Sequence, residues 1–168
     1  NMLKAFGADI HMNQNEITIT NKNELKATDV QVPGDISSAA FLLVAAAIIP
    51  YSTLTLKEVG LNKTRSGIID VLHAMGANIT ILNEKVKGGE RFGDIAIKYA
   101  SLKGIVIEGE IIPRLIDEIP IIALLATQAE GTTVIRDAEE LRVKETDRIE
   151  AIVDVLSTLG ANIEGTDD

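Results

Sequence analysis

The chain repeats itself, and the repeat fixes its local grammar. Residues 68–79 read IIDVLHAMGANI and residues 152–163 read IVDVLSTLGANI, with eight of twelve positions identical. A third copy, MLKAFGADI, occupies residues 2–10. In each, apolar residues recur at helical spacing and a glycine follows, namely Gly7, Gly76 and Gly160. The pattern predicts an amphipathic helix, a left-handed glycine C-cap and then a strand that starts at once. Similar amphipathic helices share Leu and Ile by chance, but not the exit Gly-Ala-Asn-Ile.

The flanking segments match in kind. Residues 35–49 and 116–129 are nearly all apolar, so each predicts a helix buried on all sides. Pro120 falls early in the second, where its missing N–H costs little. Strands are expected at residues 53–59 and 132–137, then at 78–82, 94–99 and 104–108. Lys87-Gly88-Gly89-Glu90 reads as a hairpin turn rather than a phosphate loop, because no strand-loop-helix setting surrounds it. The expected fold class is α/β, built of repeated βαβαββ units with buried helices and outer sheets. Residues 8–20 and 26–32 would finish an earlier unit. Val32-Pro33-Gly34-Asp35 breaks the pattern and divides residues 1–33 from residues 34–168, two units of which the second is incomplete. The final strand begins just before Asp168 with no partner, as in a stretch of a longer protein.

Composition narrows the function classes. Cysteine is absent, which excludes disulfides, thiolate metal sites and a cysteine nucleophile. His11 and His73 carry no ligand spacing, and His73 is expected at the surface of its helix. The most apolar run, residues 38–49, falls short of the ~20 residues a bilayer span takes. With no basic leader and no cleavage site at the N-terminus, the expected location is the cytoplasm. A net charge of −9 argues against non-specific nucleic-acid binding but leaves room for a small anionic ligand.

The two full copies act as controls for each other. Thr53 matches Thr133 at an offset of eighty, whereas Leu72 matches Leu156 at eighty-four. The second copy therefore gains four residues between strand and helix. It also gains charge: residues 138–148 read AEELRVKETDR, against one charge in the sister loop GLNKT at 60–64. Length and charge added to one copy only mark a candidate site. Lys144 and Arg148, one turn apart, would share a helix face near the positive end of the helix dipole, where anions are welcome. Asp117 opposes Ser37 under the strand offset, although an Asp there is ordinarily an N-cap and Glu118 beside it has equal standing. Lys63 and Arg65 in the sister loop are expected to be solvated, Asp35 to cap a helix, and Asp70 and Asp154 to serve the scaffold.

Three stretches resemble one family in order and separation. They are Gly34-Asp35-Ile36-Ser37-Ser38-Ala39-Ala40, then Asp117 ahead of an apolar helix ending Glu130-Gly131-Thr132-Thr133, and Arg142-Val143-Lys144-Glu145-Thr146-Asp147-Arg148. On these residues the chain resembles the 5-enolpyruvylshikimate-3-phosphate synthases over its whole length, matching only the middle of a family member. The resemblance implies transfer of the enolpyruvyl group of phosphoenolpyruvate to the 5-hydroxyl of shikimate 3-phosphate, with release of phosphate, in chorismate and aromatic amino acid synthesis. It implies two domains of three βαβαββ units each, no cofactor and no metal, no nucleic-acid or membrane partner, and a monomeric full-length protein. It implies Asp117 as proton acceptor against the shikimate hydroxyls, and Lys144 as a contact to shikimate 3-phosphate. Glu145 becomes an acid near the enol carbon, and Arg148 a grip on phosphoenolpyruvate. The family's other anion-binding residues have no counterpart here, so the chain alone is expected to have no turnover. An enolpyruvyl transferase for a nucleotide sugar and a non-catalytic module binding a partner protein through the charged loop are the competing readings.

Overall fold

A computed structural model describes residues 1–13, 16–20 and 23–166. Helix α1 (Met2–Ala5) ends in the shortest copy of the repeat, and Gly7 adopts φ +90° where a left-handed cap was expected. Strands β1 (Asp9–Asn13) and β2 (Glu16–Thr20) then pair antiparallel, Asp9 opposite Thr20 and Asn13 opposite Glu16. Residues 24–33 carry no helix or strand; the Lys26 amide donates to the Phe6 carbonyl at 2.8 Å.

Helix α2 (Ile36–Ile48) starts at Asp35, whose carboxylate accepts the Ser38 amide at 2.9 Å and its hydroxyl at 2.8 Å. That satisfies one of the amides every helix start leaves free. Strand β3 (Thr53–Gly60), helix α3 (Gly67–Ala74), and strands β4 (Asn78–Lys87) and β5 (Glu90–Lys98) complete this unit. The strands form one antiparallel sheet in the order β3-β5-β4. Gly88 and Gly89 make the β4–β5 turn at φ +59° and +81°, the geometry a two-residue hairpin demands. Gly34 clips onto β3: its amide donates to the Glu58 carbonyl and its own carbonyl accepts from Gly60, both at 2.8 Å.

Both outer strands bulge where they pass the Gly93–Asp94 pair of β5. Glu58 and Asn83 take positive φ at these bulges. The Asp94 carboxylate, 6% exposed, holds the two together. It accepts the Glu58 amide at 3.0 Å, the Lys57 ammonium at 2.8 Å and the Asn83 side-chain amide at 2.8 Å. Those donors, Lys57 first, bring its pKa down to about 2.

The second unit opens with two short strands, each of which pairs parallel with a later one. Strand β6 (Leu102–Lys103) precedes β7 (Val106–Ile107), and a 3-10 stretch, Gly109–Arg114, follows. Helix α4 (Ile119–Ala126) leads to β8 (Ala129–Glu130), β9 (Val134–Ile135) and α5 (Arg148–Thr158). β6 pairs with β8 and β7 with β9. Between them Gly104 lies so close to the Thr132 backbone that no side chain fits. Helices α2 and α4 pack together, and Leu43, Ile68, Leu72, Ile95, Ile122 and Leu125 are fully buried around them. The result is the α/β repeat that the sequence predicts.

Three expectations change. Helix α2 is not buried on all sides, because Phe41 and Leu42 are 59% and 53% exposed. The sheet and α4 pack against other parts of α2; α4, by contrast, exposes none of its residues. No strand follows Gly160, although its φ of +91° repeats the glycine cap: a strand is defined by a partner, and residues 161–166 have none among the described residues. The expected strand at 132–137 shrinks to Val134–Ile135, the part that reaches β7. No described helix is long and apolar enough to cross a membrane.

Candidate functional site

The β9-to-α5 connection absorbs its extra length in a 3-10 turn, Glu139–Val143, anchored by the fully buried Leu141. The helix then begins at Asp147, whose carboxylate accepts the Glu150 amide at 3.0 Å. That bond, ahead of a 2.7 Å contact from Arg142, holds the Asp147 carboxyl below the usual range. Asp147 and Glu150 have the spacing of a capping box, a signal present in the sequence that places the helix start. Lys144 therefore lies before the helix, in extended backbone, and does not share a helical face with Arg148. Its ammonium donates instead to the Glu140 carboxylate.

Arg148 is the first residue of α5 and bridges two carboxylates. One guanidinium nitrogen donates to Asp117 at 3.3 Å, the other to Glu145 at 2.9 Å. Asp117 comes from another element, the 3-10 turn Ile116–Glu118 ahead of α4. It is exposed and makes no cap bond to α4, so the ordinary role of an Asp at a helix start is not the one it plays. Glu145 is held ionised, its pKa lowered first by its own backbone amide and then by Arg148. The Arg148 pKa moves up, chiefly through the Glu145 hydrogen bond. The structure thus gathers Asp117, Glu145 and Arg148, and leaves Lys144 on the neighbouring Glu140.

Two residues gain roles that the sequence did not assign. Arg65 is not merely solvated; it donates to the Ser37 hydroxyl at 3.1 Å and reaches Asp35 at 3.4 Å, bracing the start of α2. Glu118 is only 4% exposed, and its Oε1 has no hydrogen-bond partner. Burial pushes its pKa up; the Ser37 hydroxyl opposes that, the Asp117 charge adds to it and Arg65 weakly opposes it. Burial is a tertiary property, so no local pattern separates Glu118 from Asp117. Among the described residues no three His, Cys, Asp or Glu side chains are grouped to hold a metal ion.

Fold and site together define an α/β repeat protein with a charged helix start in one repeat only. Comparison with known proteins makes this specific. The family model for EPSP synthase (3-phosphoshikimate 1-carboxyvinyltransferase) matches residues 1–168. The chain is 60% identical over 167 residues to the 3-phosphoshikimate 1-carboxyvinyltransferase of Bacillus pumilus and 57% to that of Oceanobacillus iheyensis, covering 99% of this chain and 39% of each relative. It superposes on a solved EPSP synthase from Acinetobacter baumannii with a TM-score of 0.95 at 45% identity, covering 99% of this chain and 38% of that one. The chain belongs to the EPSP synthase family. It spans about two fifths of the length of the curated relatives it matches.

Proposed function

We propose that this chain is part of an enolpyruvyl transferase that joins phosphoenolpyruvate to the 5-hydroxyl of shikimate 3-phosphate and releases phosphate. The observation that carries the reading is the bridge from Arg148 to both Asp117 and Glu145, which joins two elements at a helix start. Asp117 accepts the hydroxyl proton as the oxygen bonds to the enol carbon. Glu145 delivers a proton to the methylene, giving a tetrahedral intermediate. Return of that proton and loss of phosphate then complete the transfer. Lys144 contacts shikimate 3-phosphate, and Arg148 grips the phosphoenolpyruvate carboxylate, a fork-to-carboxylate match.

The geometry supports a coupling between these steps. While Arg148 pairs with Glu145, that carboxyl is held ionised and has no proton to give. A substrate carboxylate that draws Arg148 away raises the proton affinity of Glu145 when a proton donor is needed. In this reading residues 1–33 finish a first domain, and residues 34–168 are two units of a second. The rest of the polypeptide completes the anion site, so residues 1–168 alone have no turnover. The protein works as a cytoplasmic monomer without metal or cofactor.

Calorimetric titration of the complete polypeptide with shikimate 3-phosphate, with and without phosphoenolpyruvate, tests this. Saturable binding of shikimate 3-phosphate is expected. Arg148→Gln should preserve it while weakening phosphoenolpyruvate by about tenfold to a hundredfold. No saturable binding of shikimate 3-phosphate would sink the reading.

A further inference from the structure

Among the described residues, Glu118 is the buried carboxyl beside the site that the proposed chemistry does not use. Its side chain is 4% exposed and Oε1 has no hydrogen-bond partner. A buried carboxylate without full hydrogen bonding costs stability. A scaffold role would normally recover that cost through a cap, since Glu118 is the N-cap residue of α4. Yet its side chain makes no cap bond. The Ser37 hydroxyl from the start of α2, its own backbone amide and Arg65 from the loop before α3 return part of that cost, while the like charge of Asp117 adds to it.

The start of α4 is also ground that Asp117 would otherwise take. Carboxylates are drawn to free helix-start amides, and Asp is among the best N-cap residues. Asp117 is one residue from that position, yet it faces Arg148 across 3.3 Å instead. Something must keep it from the helix start.

We propose that Glu118 is a positioning residue that keeps Asp117 off the start of α4, so that the Asp117 carboxylate stays turned toward Arg148 and the substrate hydroxyl. Glu118 occupies the helix start without capping it, and its carboxylate repels Asp117 outward. Part of the chain's stability is given up for this arrangement. The raised proton affinity of the buried carboxyl fits the same picture. Its charged form is the costly one, so the cost is present above the ordinary carboxylate range and fades as pH falls through it.

The test of the functional consequence rests on the transferase reading, whereas the stability arm stands without it. In the complete polypeptide, Glu118→Gln should raise Tm by about 1–2 °C at pH 7. The gain should shrink to nothing as pH falls below the usual carboxylate range. Glu118→Leu should show the same direction, which guards against a polar artefact of glutamine. In the complete polypeptide, Glu118→Gln should lower kcat about tenfold to a hundredfold, with both KM values little changed. That loss should vanish in an Asp117→Asn background, because Glu118 acts only through Asp117. A Tm at pH 7 that does not rise in either variant would overturn the proposal. So would a kcat loss of equal size in both backgrounds, or an unchanged kcat. A wild-type polypeptide with no turnover would sink the transferase reading, leaving the melts to decide whether Glu118 is a stability cost.

Discussion

The two repeats carry nearly the same helix, yet they put it to different ends. In α3 the residues Ile68, Ile69, Val71 and Leu72 are all buried; in α5 only Leu156 is, while Val155 and Leu159 are 59% and 76% exposed. The first helix is followed by two long strands that close a sheet. The second is followed by residues 161–166, with no strand to pack on. The loops ahead of the helices differ in the same spirit. In the first repeat Arg65 braces the start of α2, whereas in the second Arg148 bridges Asp117 and Glu145. One arginine braces a helix start, and the other ties two carboxylates from different elements together.

The sister leucines offer the largest test of that contrast. Leu72→Ala should cost about 3–5 kcal/mol in urea unfolding, because its cavity is enclosed on all sides. Leu156→Ala should cost less, about 1–2 kcal/mol, since its neighbours are already half open to solvent. Equal losses would mean that α5 is as well packed as α3, and the comparison would fail.

Gly104→Ala should cost about 2–3 kcal/mol, through a methyl group forced into the Thr132 backbone. Its effect should be local. Hydrogen exchange should quicken in β8 and β9 and stay slow in β3 and β5. Uniform quickening would show that the two repeats unfold as one unit.

The smallest effect belongs to the first repeat alone. The Asp94 pKa, about 2 against an ordinary 3.8, means that the native state favours its carboxylate. The stabilisation is complete above the ordinary value and is lost as pH falls from about 4 to about 2. Asp94→Asn should therefore lower Tm at pH 7, and the two melting curves should converge near pH 2. A gap that persists at pH 2 would assign the bulges to some other contact.

What was readable in the sequence follows the range of the forces involved. The glycine caps at Gly7, Gly76 and Gly160 could be read because a left-handed residue leaves a local mark. The loop that gained length and charge could be read because its sister served as a control, and its Glu145 and Arg148 meet Asp117 from the turn ahead of α4. The helix face expected to join Lys144 and Arg148 does not form, because the Asp147–Glu150 capping signal starts the helix after Lys144. Burial of Glu118 and exposure of Phe41 depend on which elements pack nearby, which no local pattern encodes. The bulges gave no warning either, since Glu58 and Asn83 take conformations usually left to glycine.

Those bulges also decide parity. Along β3 the inward residues are Leu54 and Leu56, and strict alternation would next turn Glu58 toward the core. The extra residue resets the count, so that Val59, 3% exposed, goes in and Glu58 stays out. A single-residue deletion at Lys57 would remove the extra residue: plain alternation from Leu56 would still carry Val59 inward, but the bulge and its contacts to Asp94 would be lost. For this sheet, then, the added residue serves the grip on Asp94, and the apolar face of β3 keeps its register with or without it.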